Sequence, residues 1–213
     1  MTQKERQERS RQMIFQAALE EFGTSEPESV TMDEICAKHG ISKGMLYHYY
    51  ANKDALFLAC VEKIFQELNA YLHQEAEGLT DQPALLALKN YFLLRETFFQ
   101  SRNRERHIFE CAMLHPPQHL IAQIQALRQP IRAENERFLR RLISHMQLRE
   151  GLERNQAVRY LHSVYTVFWS ILEQYHAPDS VSDLHRMLKE AEEIFGLLLF
   201  GIARPGDTGL AGI

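Results

Sequence analysis

The chain has 213 residues, enough for one sizeable hydrophobic core or two small ones. Hydrophobic residues make up 45% and charged residues 24% of it, as in ordinary globular proteins, and no apolar run is long enough to span a membrane. The net charge is −4, and residues 1–53 carry seven Lys or Arg against eight Asp or Glu, so bulk charge alone does not indicate nucleic-acid binding.

The cysteines and the N-terminus favour a cytoplasmic protein. The three cysteines are odd in number and widely spaced, so they suggest neither a disulfide framework nor a metal-ligand pattern. The first twelve residues are hydrophilic and lead into an amphipathic helix, which argues against a secretory signal. His115 and His119 lie four residues apart, but two prolines separate them and no metal-binding helix pattern accompanies them. Without a known catalytic or phosphate-binding motif, we expect no enzyme activity, no cofactor and no metal.

Helical periodicity dominates the chain and predicts an all-α fold with nine or ten helices. The first helix is expected from Lys4 to Phe22, with an apolar stripe on one face. Thr31 and Glu34 then form a capping box that predicts a second helix beginning at Met32. Gly40 can end this helix in the left-handed conformation.

A short third helix is predicted after Ser42, which can cap residues 43–49. This helix is too short to be stable alone, so neighbouring helices must hold it. It carries a lysine, two tyrosines and a histidine, and Lys53 begins the next helix. This arrangement is typical of a helix-turn-helix whose second helix lies in the DNA major groove.

The same segment resembles the DNA-binding domain of the TetR family of transcriptional regulators. Tyr50 stands where the family more often has Phe, and beyond the first quarter of the chain only length and helical organisation agree. The positions that carry the resemblance are Ile14, Phe15, Ala18, Leu19, Phe22, Thr31, Gly40, Ile41, Ser42, Lys43, Gly44, Leu46, Tyr47, Tyr49, Tyr50, Asn52, Lys53 and Leu56.

The resemblance implies a DNA-binding domain over residues 1–53 and an effector-binding and dimerisation domain over residues 54–213. Lys43 and Lys53 are expected to contact phosphates, and Met45 can contact a thymine methyl group. Ile41 and Leu46 are expected to be core residues. The residues expected at DNA are Thr31, Ser42, Lys43, Gly44, Met45, Tyr47, His48, Tyr49 and Lys53.

The remaining residues predict further helices separated by Gly and Pro. Asn52 can cap a long helix over residues 53–77, and helices are expected over residues 83–101 and 104–114. Pro130 should kink or break the helical stretch over residues 118–150. Asn155 is expected to cap a helix over residues 156–175, and a last helix should end at Gly201.

The last two helices are apolar on more than one side, so each must be covered on more than one side. A monomer core would do this, but we favour a two-fold dimer interface of two helices from each subunit, as the TetR family forms. A dimer also places two recognition helices about one DNA turn apart. The expected interface residues are Leu161, Val164, Phe168, Leu172, Leu184, Leu188, Ala191, Phe195 and Leu198.

The resemblance also implies a pocket for a small, largely apolar effector, although each candidate residue taken alone is more often ordinary core. The candidates are Phe92, Phe99, His107, Phe109, Met113, Tyr165 and Trp169.

The function that follows is a dimeric regulator, expected to be a repressor that a small effector releases from a palindromic operator. Its partners would be double-stranded DNA, the effector and a second copy of the chain, with no membrane. Two alternatives remain open. One is a DNA-binding dimer without ligand control, and the other is an all-α small-molecule-binding protein that is not a regulator.

Overall fold

The structure is a computed structural model, and it describes residues 2–163. Every regular element in this part of the chain is helical, which confirms the all-α fold class. Short 3-10 helices lie at Leu79–Asp81 and Gln118–Leu120. The α helices are α1 Gln3–Phe22, α2 Met32–His39, α3 Lys43–Tyr49, α4 Lys53–Glu75, α5 Ala84–Phe99, α6 Asn103–Leu114, α7 Ile121–Leu127, α8 Gln129–Ser144 and α9, described over residues 154–163.

The helix boundaries around α2 and α3 follow the predicted local signals. The Thr31 hydroxyl accepts the backbone N–H of Glu34 at 3.2 Å, and Glu34 in turn accepts the backbone N–H of Thr31, which completes the capping box. Gly40 ends α2 at φ 62°, in the left-handed region that favours glycine. Ser42 accepts the backbone N–H of Met45 at 3.2 Å, and Asn52 accepts that of Ala55 at 2.8 Å. The turn between α2 and α3 is therefore fixed by contacts close in sequence.

The expected break near Pro130 is present, whereas the start of α9 differs from the expectation. The break near Pro130 falls before the proline, because Pro130 is the second residue of α8, where its missing N–H has no intrahelical partner to lose. The prediction that Asn155 caps the next helix is wrong, since α9 already includes residue 154. The Asn155 side chain instead accepts a hydrogen bond from Arg140 at 3.2 Å. The start of α9 is capped locally by Gln156, whose side-chain oxygen accepts the backbone N–H of Glu153 at 3.1 Å.

The chain divides into two compact units that cut across α4 and α5. Unit 1 comprises Met1–Asn69 and Phe98–Ile131, and unit 2 comprises Ala70–Thr97 and Arg132–Ile213. In unit 1, Phe22 of α1 packs edge-on against Phe57 of α4 with ring centroids 5.2 Å apart, and both side chains are fully buried. This contact in the core of unit 1 therefore packs α1 against α4, the helix that follows the helix-turn-helix.

Unit 2 combines an apolar core with a buried polar network. Tyr91 stacks on Phe138 with centroids 3.8 Å apart and planes inclined by 6°. The Tyr91 hydroxyl donates to the Asn135 side-chain oxygen at 2.8 Å, and the Arg95 guanidinium donates to the same oxygen at 2.7 Å. Tyr91, Arg95 and Asn135 are all buried, so these hydrogen bonds satisfy polar groups that are removed from water. Within residues 2–163, no helix has the length and apolar character needed to cross a bilayer.

Candidate nucleic-acid interface

Helix α3 is anchored on one side and exposed on the other. Leu46 is fully buried and Ile41, in the preceding turn, is almost fully buried, as the sequence predicted for both. Lys43, Gly44, Tyr47 and His48 are exposed, and half of the Tyr47 side chain is accessible to solvent. The seven-residue helix therefore presents a polar, aromatic surface while Leu46 packs into the core. We refer to α3 as the recognition helix.

The two lysines expected at phosphates already have partners in the free protein. Lys43 Nζ lies 2.7 Å from Asp33 Oδ2 of α2, and both side chains are exposed. The hydrogen bond and charge of Asp33 raise the pKa of Lys43, so the ammonium is fully charged at neutral pH. Lys53 Nζ donates to the backbone carbonyl of Glu28 at 3.0 Å. A DNA phosphate would have to replace or share these partners.

Some of the other residues predicted to contact DNA serve as helix caps, and others lie at the surface of the recognition helix. The hydroxyls of Thr31 and Ser42 act as helix caps, and the Thr31 hydroxyl also donates to Glu34 at 2.9 Å. A side chain added at Gly44 would meet no atom within 4 Å, so the backbone there is open to a close approach. Met45 is half-buried beside the exposed residues.

Tyr49 has a structural contact that sequence reasoning missed. Its hydroxyl donates to the Gln7 carbonyl of α1 at 3.3 Å, and its ring packs edge-on against His48 with centroids 5.0 Å apart. Tyr49 therefore links the recognition helix to α1, and His48 is the more accessible of the two rings.

A buried carboxylate orients the helix-turn-helix, and this too was missed. Glu21 of α1 is 8% exposed and accepts hydrogen bonds from Lys38 at 2.7 Å and His39 at 3.0 Å, both in α2. Burial alone would raise the pKa of Glu21, but the bonds from Lys38 and His39 hold it below its ordinary value. Lys38 and His39 lie 17 and 18 residues after Glu21, so no short sequence pattern predicts these two hydrogen bonds.

Residues 14–60 match the family model described as bacterial regulatory proteins, tetR family. The N-terminal domain belongs to the TetR family. The match covers the second half of α1, the helix-turn-helix and the start of α4, and it confirms the resemblance stated from the residues alone. No curated protein sequence matches the chain.

Solved structures of TetR-family regulators share the fold. SmeT, the repressor of the Stenotrophomonas maltophilia multidrug efflux pump SmeDEF, has a TM-score of 0.65 and 21% identity over 95% of this chain and 96% of that chain. A SmeT–triclosan complex has a TM-score of 0.65 and 20% identity, with 93% of each chain covered. NalD, the secondary repressor of MexAB-OprM in Pseudomonas aeruginosa, has a TM-score of 0.61 and 18% identity over 94% of this chain and 98% of that chain. At these identities the likeness shows the TetR-family fold alone.

The predicted effector contacts lie in both units. In unit 1, the Phe99 and Phe109 rings are in contact, with centroids 4.9 Å apart, and Met113 is half-buried. His107 lies on α6 with its Nε2 3.6 Å from Cys111 Sγ. Phe92 belongs to unit 2, where it is buried. Tyr165 and Trp169 lie outside the described residues, so the pocket as a whole stays a prediction.

The predicted dimer interface falls almost entirely beyond the described part of the chain. Leu161 is described, and it is buried in the core of unit 2. The other interface candidates, which lie outside the described residues, are Val164, Phe168, Leu172, Leu184, Leu188, Ala191, Phe195 and Leu198.

Proposed function

We propose that this TetR-family regulator is a homodimeric repressor that binds a palindromic operator and is released by a small, largely apolar effector. The observation that carries the DNA-binding part is the recognition helix. It exposes Lys43, Tyr47 and His48 together while Leu46 holds it in the core. Lysine and tyrosine side chains that project from such a helix contact phosphates and base edges in a major groove.

We propose few DNA contacts per subunit, and they depend on where the side chains lie more than on the net charge of the domain. Lys43 and Lys53 supply phosphate contacts, and the start of α4 adds the positive end of a helix dipole beside Lys53. Tyr47 and His48 supply contacts to phosphates or base edges. Because log affinity falls by about 0.9 per neutralised phosphate for each tenfold rise in salt, we expect a modest salt slope and a need for two subunits.

Effector control is proposed from the fold and from the properties of similar proteins. SmeT and NalD are described as repressors of multidrug efflux pumps, and SmeT has been solved with triclosan. In this chain, α4 begins at the end of the helix-turn-helix and contributes residues to both units. An effector that shifts α4 would change the spacing of the two recognition helices. A coupling free energy of roughly 1–3 kcal/mol would lower operator affinity about 5- to 150-fold.

The test of DNA binding starts from oligonucleotides selected with the full-length protein. The Lys43→Ala/Tyr47→Ala double variant should lose sequence-selective binding in a gel shift. Lys63→Ala is the matched control, because Lys63 is an exposed lysine of unit 1 that pairs with Glu67 on α4, away from the recognition helix. Selective binding that survives in the double variant would refute the role of the recognition helix. A wild-type protein that selects no oligonucleotide would favour the alternative of a small-molecule-binding protein.

Effector control has its own test, with triclosan as the first apolar probe. Triclosan should raise the thermal midpoint of the free protein and reduce operator binding at the same concentration. A probe that binds free and operator-bound protein equally well would exclude release by population shift. A DNA-binding dimer that no apolar ligand stabilises would favour the alternative without ligand control, and native mass spectrometry would establish the oligomeric state in either case.

A further inference from the structure

Three side chains with metal-binding atoms meet in unit 1, away from the recognition helix. They are Glu26, in the loop between α1 and α2, and His107 and Cys111, both on α6. One ligand atom from each lies within 4.8 Å of the other two. Cys111 Sγ is 3.6 Å from Glu26 Oε2 and 3.6 Å from His107 Nε2. His107 and Cys111 are four residues apart, so the helix itself places them on one face.

The donor set is one that zinc prefers. Zn²⁺ binds cysteine thiolate, histidine nitrogen and carboxylate oxygen in tetrahedral sites, and sites with three protein ligands keep a fourth position for water. We propose that Glu26, His107 and Cys111 bind one Zn²⁺ per chain, with water as the fourth ligand. The Cys111 thiol gives its proton to solvent and the resulting thiolate donates an electron pair to the metal, without any change of oxidation state.

The surroundings of the three side chains suit a cation that enters from solvent. Glu26 is exposed, His107 is half-buried and Cys111 is buried, which gives the ion a path from water to the sulfur. Glu28 and Glu110 lie close enough to add negative charge at the sulfur. Without metal, burial and the carboxylates of Glu26, Glu110 and Glu28 raise the pKa of the Cys111 thiol to about 12, so it is a neutral donor to Glu26. A bound cation reverses that preference, because its own charge is the largest in the site.

The ion would join two segments that already touch. Gly23, at the end of α1, lies so close to α6 that an added Cβ would be 2.5 Å from the Cβ of Arg104. Glu26 follows three residues later, in the loop that leads into α2, and the neighbouring Pro27 is buried. Zinc would thus fix this loop to α6 at a second point. The binding site itself does not depend on the proposed DNA-binding function, and it shares His107 with the residues predicted to contact the apolar effector.

The first measurement uses the full-length protein, stripped of metal and kept reduced. Titration with Co²⁺ should give one equivalent per chain, a near-ultraviolet thiolate-to-cobalt charge-transfer band and strong visible bands typical of tetrahedral cobalt. Zn²⁺ should displace the cobalt and raise the unfolding midpoint, since a ligand that binds only the folded state stabilises it. Absence of a thiolate band in the folded wild-type protein would overturn the proposal.

Single variants assign the ligands. Cys111→Ser should abolish the charge-transfer band. Glu26→Gln and His107→Gln should keep the band but weaken affinity by more than the ~10–100-fold typical of losing an outer-shell partner. Circular dichroism checks that each variant folds. If Cys111→Ser does not fold, Glu26→Gln provides the test, because Glu26 is exposed.

Two matched controls complete the design. Cys36→Ser removes another thiol of unit 1, and His119→Gln removes a histidine that pairs with Asp54 at 2.9 Å, outside the cluster. Both should bind Co²⁺ and Zn²⁺ as the wild-type protein does. Binding that is lost in either control, or that is unchanged in Glu26→Gln, His107→Gln and Cys111→Ser, would contradict the proposed site.

Discussion

The helix-turn-helix and the core of unit 2 satisfy their polar groups in different ways. Around α2 and α3, the capping bonds join residues three apart, such as Thr31 with Glu34 and Ser42 with Met45. In unit 2, Asn135 receives hydrogen bonds from Arg95 and Tyr91, which are 40 and 44 residues away. The ends of α2 and α3 are thus fixed by residues close in sequence, whereas the network of unit 2 depends on helices that meet only in the folded chain.

This difference has consequences for stability. A cap exposed to solvent contributes about 1 kcal/mol, because water can replace the lost bond. A buried amide that serves two donors contributes more, because removing it leaves both donors without that acceptor in a region of low dielectric. The long-range network should therefore be the more sensitive of the two regions to substitution.

The largest effect is expected from Asn135→Ala in unit 2. The substitution removes the acceptor of Tyr91 and of the Arg95 guanidinium, both buried. We expect a loss of about 2–4 kcal/mol in the free energy of unfolding, because a hydrogen bond to a charged group is worth about 1.5–3 kcal/mol and a second bond is lost with it. Urea denaturation followed by circular dichroism measures this loss.

Tyr91→Phe is the control for this network. It removes only the hydroxyl and keeps the aromatic ring that stacks on Phe138. A cost of about 1 kcal/mol is expected for the single neutral bond. Should Asn135→Ala cost no more than Tyr91→Phe, the shared acceptor would not be the centre of the network.

A smaller effect, dependent on pH, is expected from Glu21→Gln in unit 1. Glu21 bonds Lys38 and His39, and the pKa of its carboxyl is below the ordinary value in the folded protein. A lowered folded pKa stabilises the protein above the unfolded pKa and loses this contribution as pH falls through the folded pKa. At neutral pH we expect Glu21→Gln to cost about 1 kcal/mol, a modest value because Lys38 is largely exposed.

The pH profile tests the cause of that cost. The difference in unfolding free energy between the wild-type protein and Glu21→Gln should shrink as pH falls from about 5 towards 3. Lys38→Gln should have a smaller effect at neutral pH, since His39 still bonds the carboxylate. Parallel profiles for wild-type protein and Glu21→Gln across this range would show that the charge of Glu21 contributes nothing.

The same contrast explains which features could be predicted from sequence. The caps at Thr31, Ser42 and Asn52 and the burial of Ile41 and Leu46 follow from patterns a few residues long, and the structure confirms them. These signals were sufficient for the all-α fold and for the TetR-family domain. They also place the exposed residues of the recognition helix on one short segment.

Features that depend on distant contacts could not be predicted in this way. Asn155 was expected to cap a helix, but its side chain bonds Arg140, 15 residues earlier. The three cysteines suggested no metal-ligand pattern, yet Cys111 lies beside Glu26, 85 residues away. Only the spacing of His107 and Cys111 on one helical face was visible in the sequence, and two ligands alone do not define a site.

The smallest effect on stability, and the most direct test of the recognition helix, is expected from Asp33→Asn. Lys43 and Asp33 are both mostly exposed, so solvent screens their pair and the unfolding midpoint should not change. Under the proposed function, a phosphate replaces Asp33 as the partner of Lys43, and the Asp33 carboxylate then lies near a negative strand. Removing this charge should strengthen operator binding a few-fold in low salt.

Salt dependence separates this electrostatic effect from a change in structure. The advantage of Asp33→Asn should vanish near 1 M salt, where the screening length falls to about 3 Å from about 10 Å at 0.1 M. Glu67→Gln, which neutralises a carboxylate of α4 that pairs with Lys63 and Arg102, is the control and should bind the operator as the wild-type protein does. Weaker binding by Asp33→Asn would mean that Asp33 orients Lys43 for DNA. The ion pair on the recognition helix would then be part of the binding geometry and not a competitor of the phosphate.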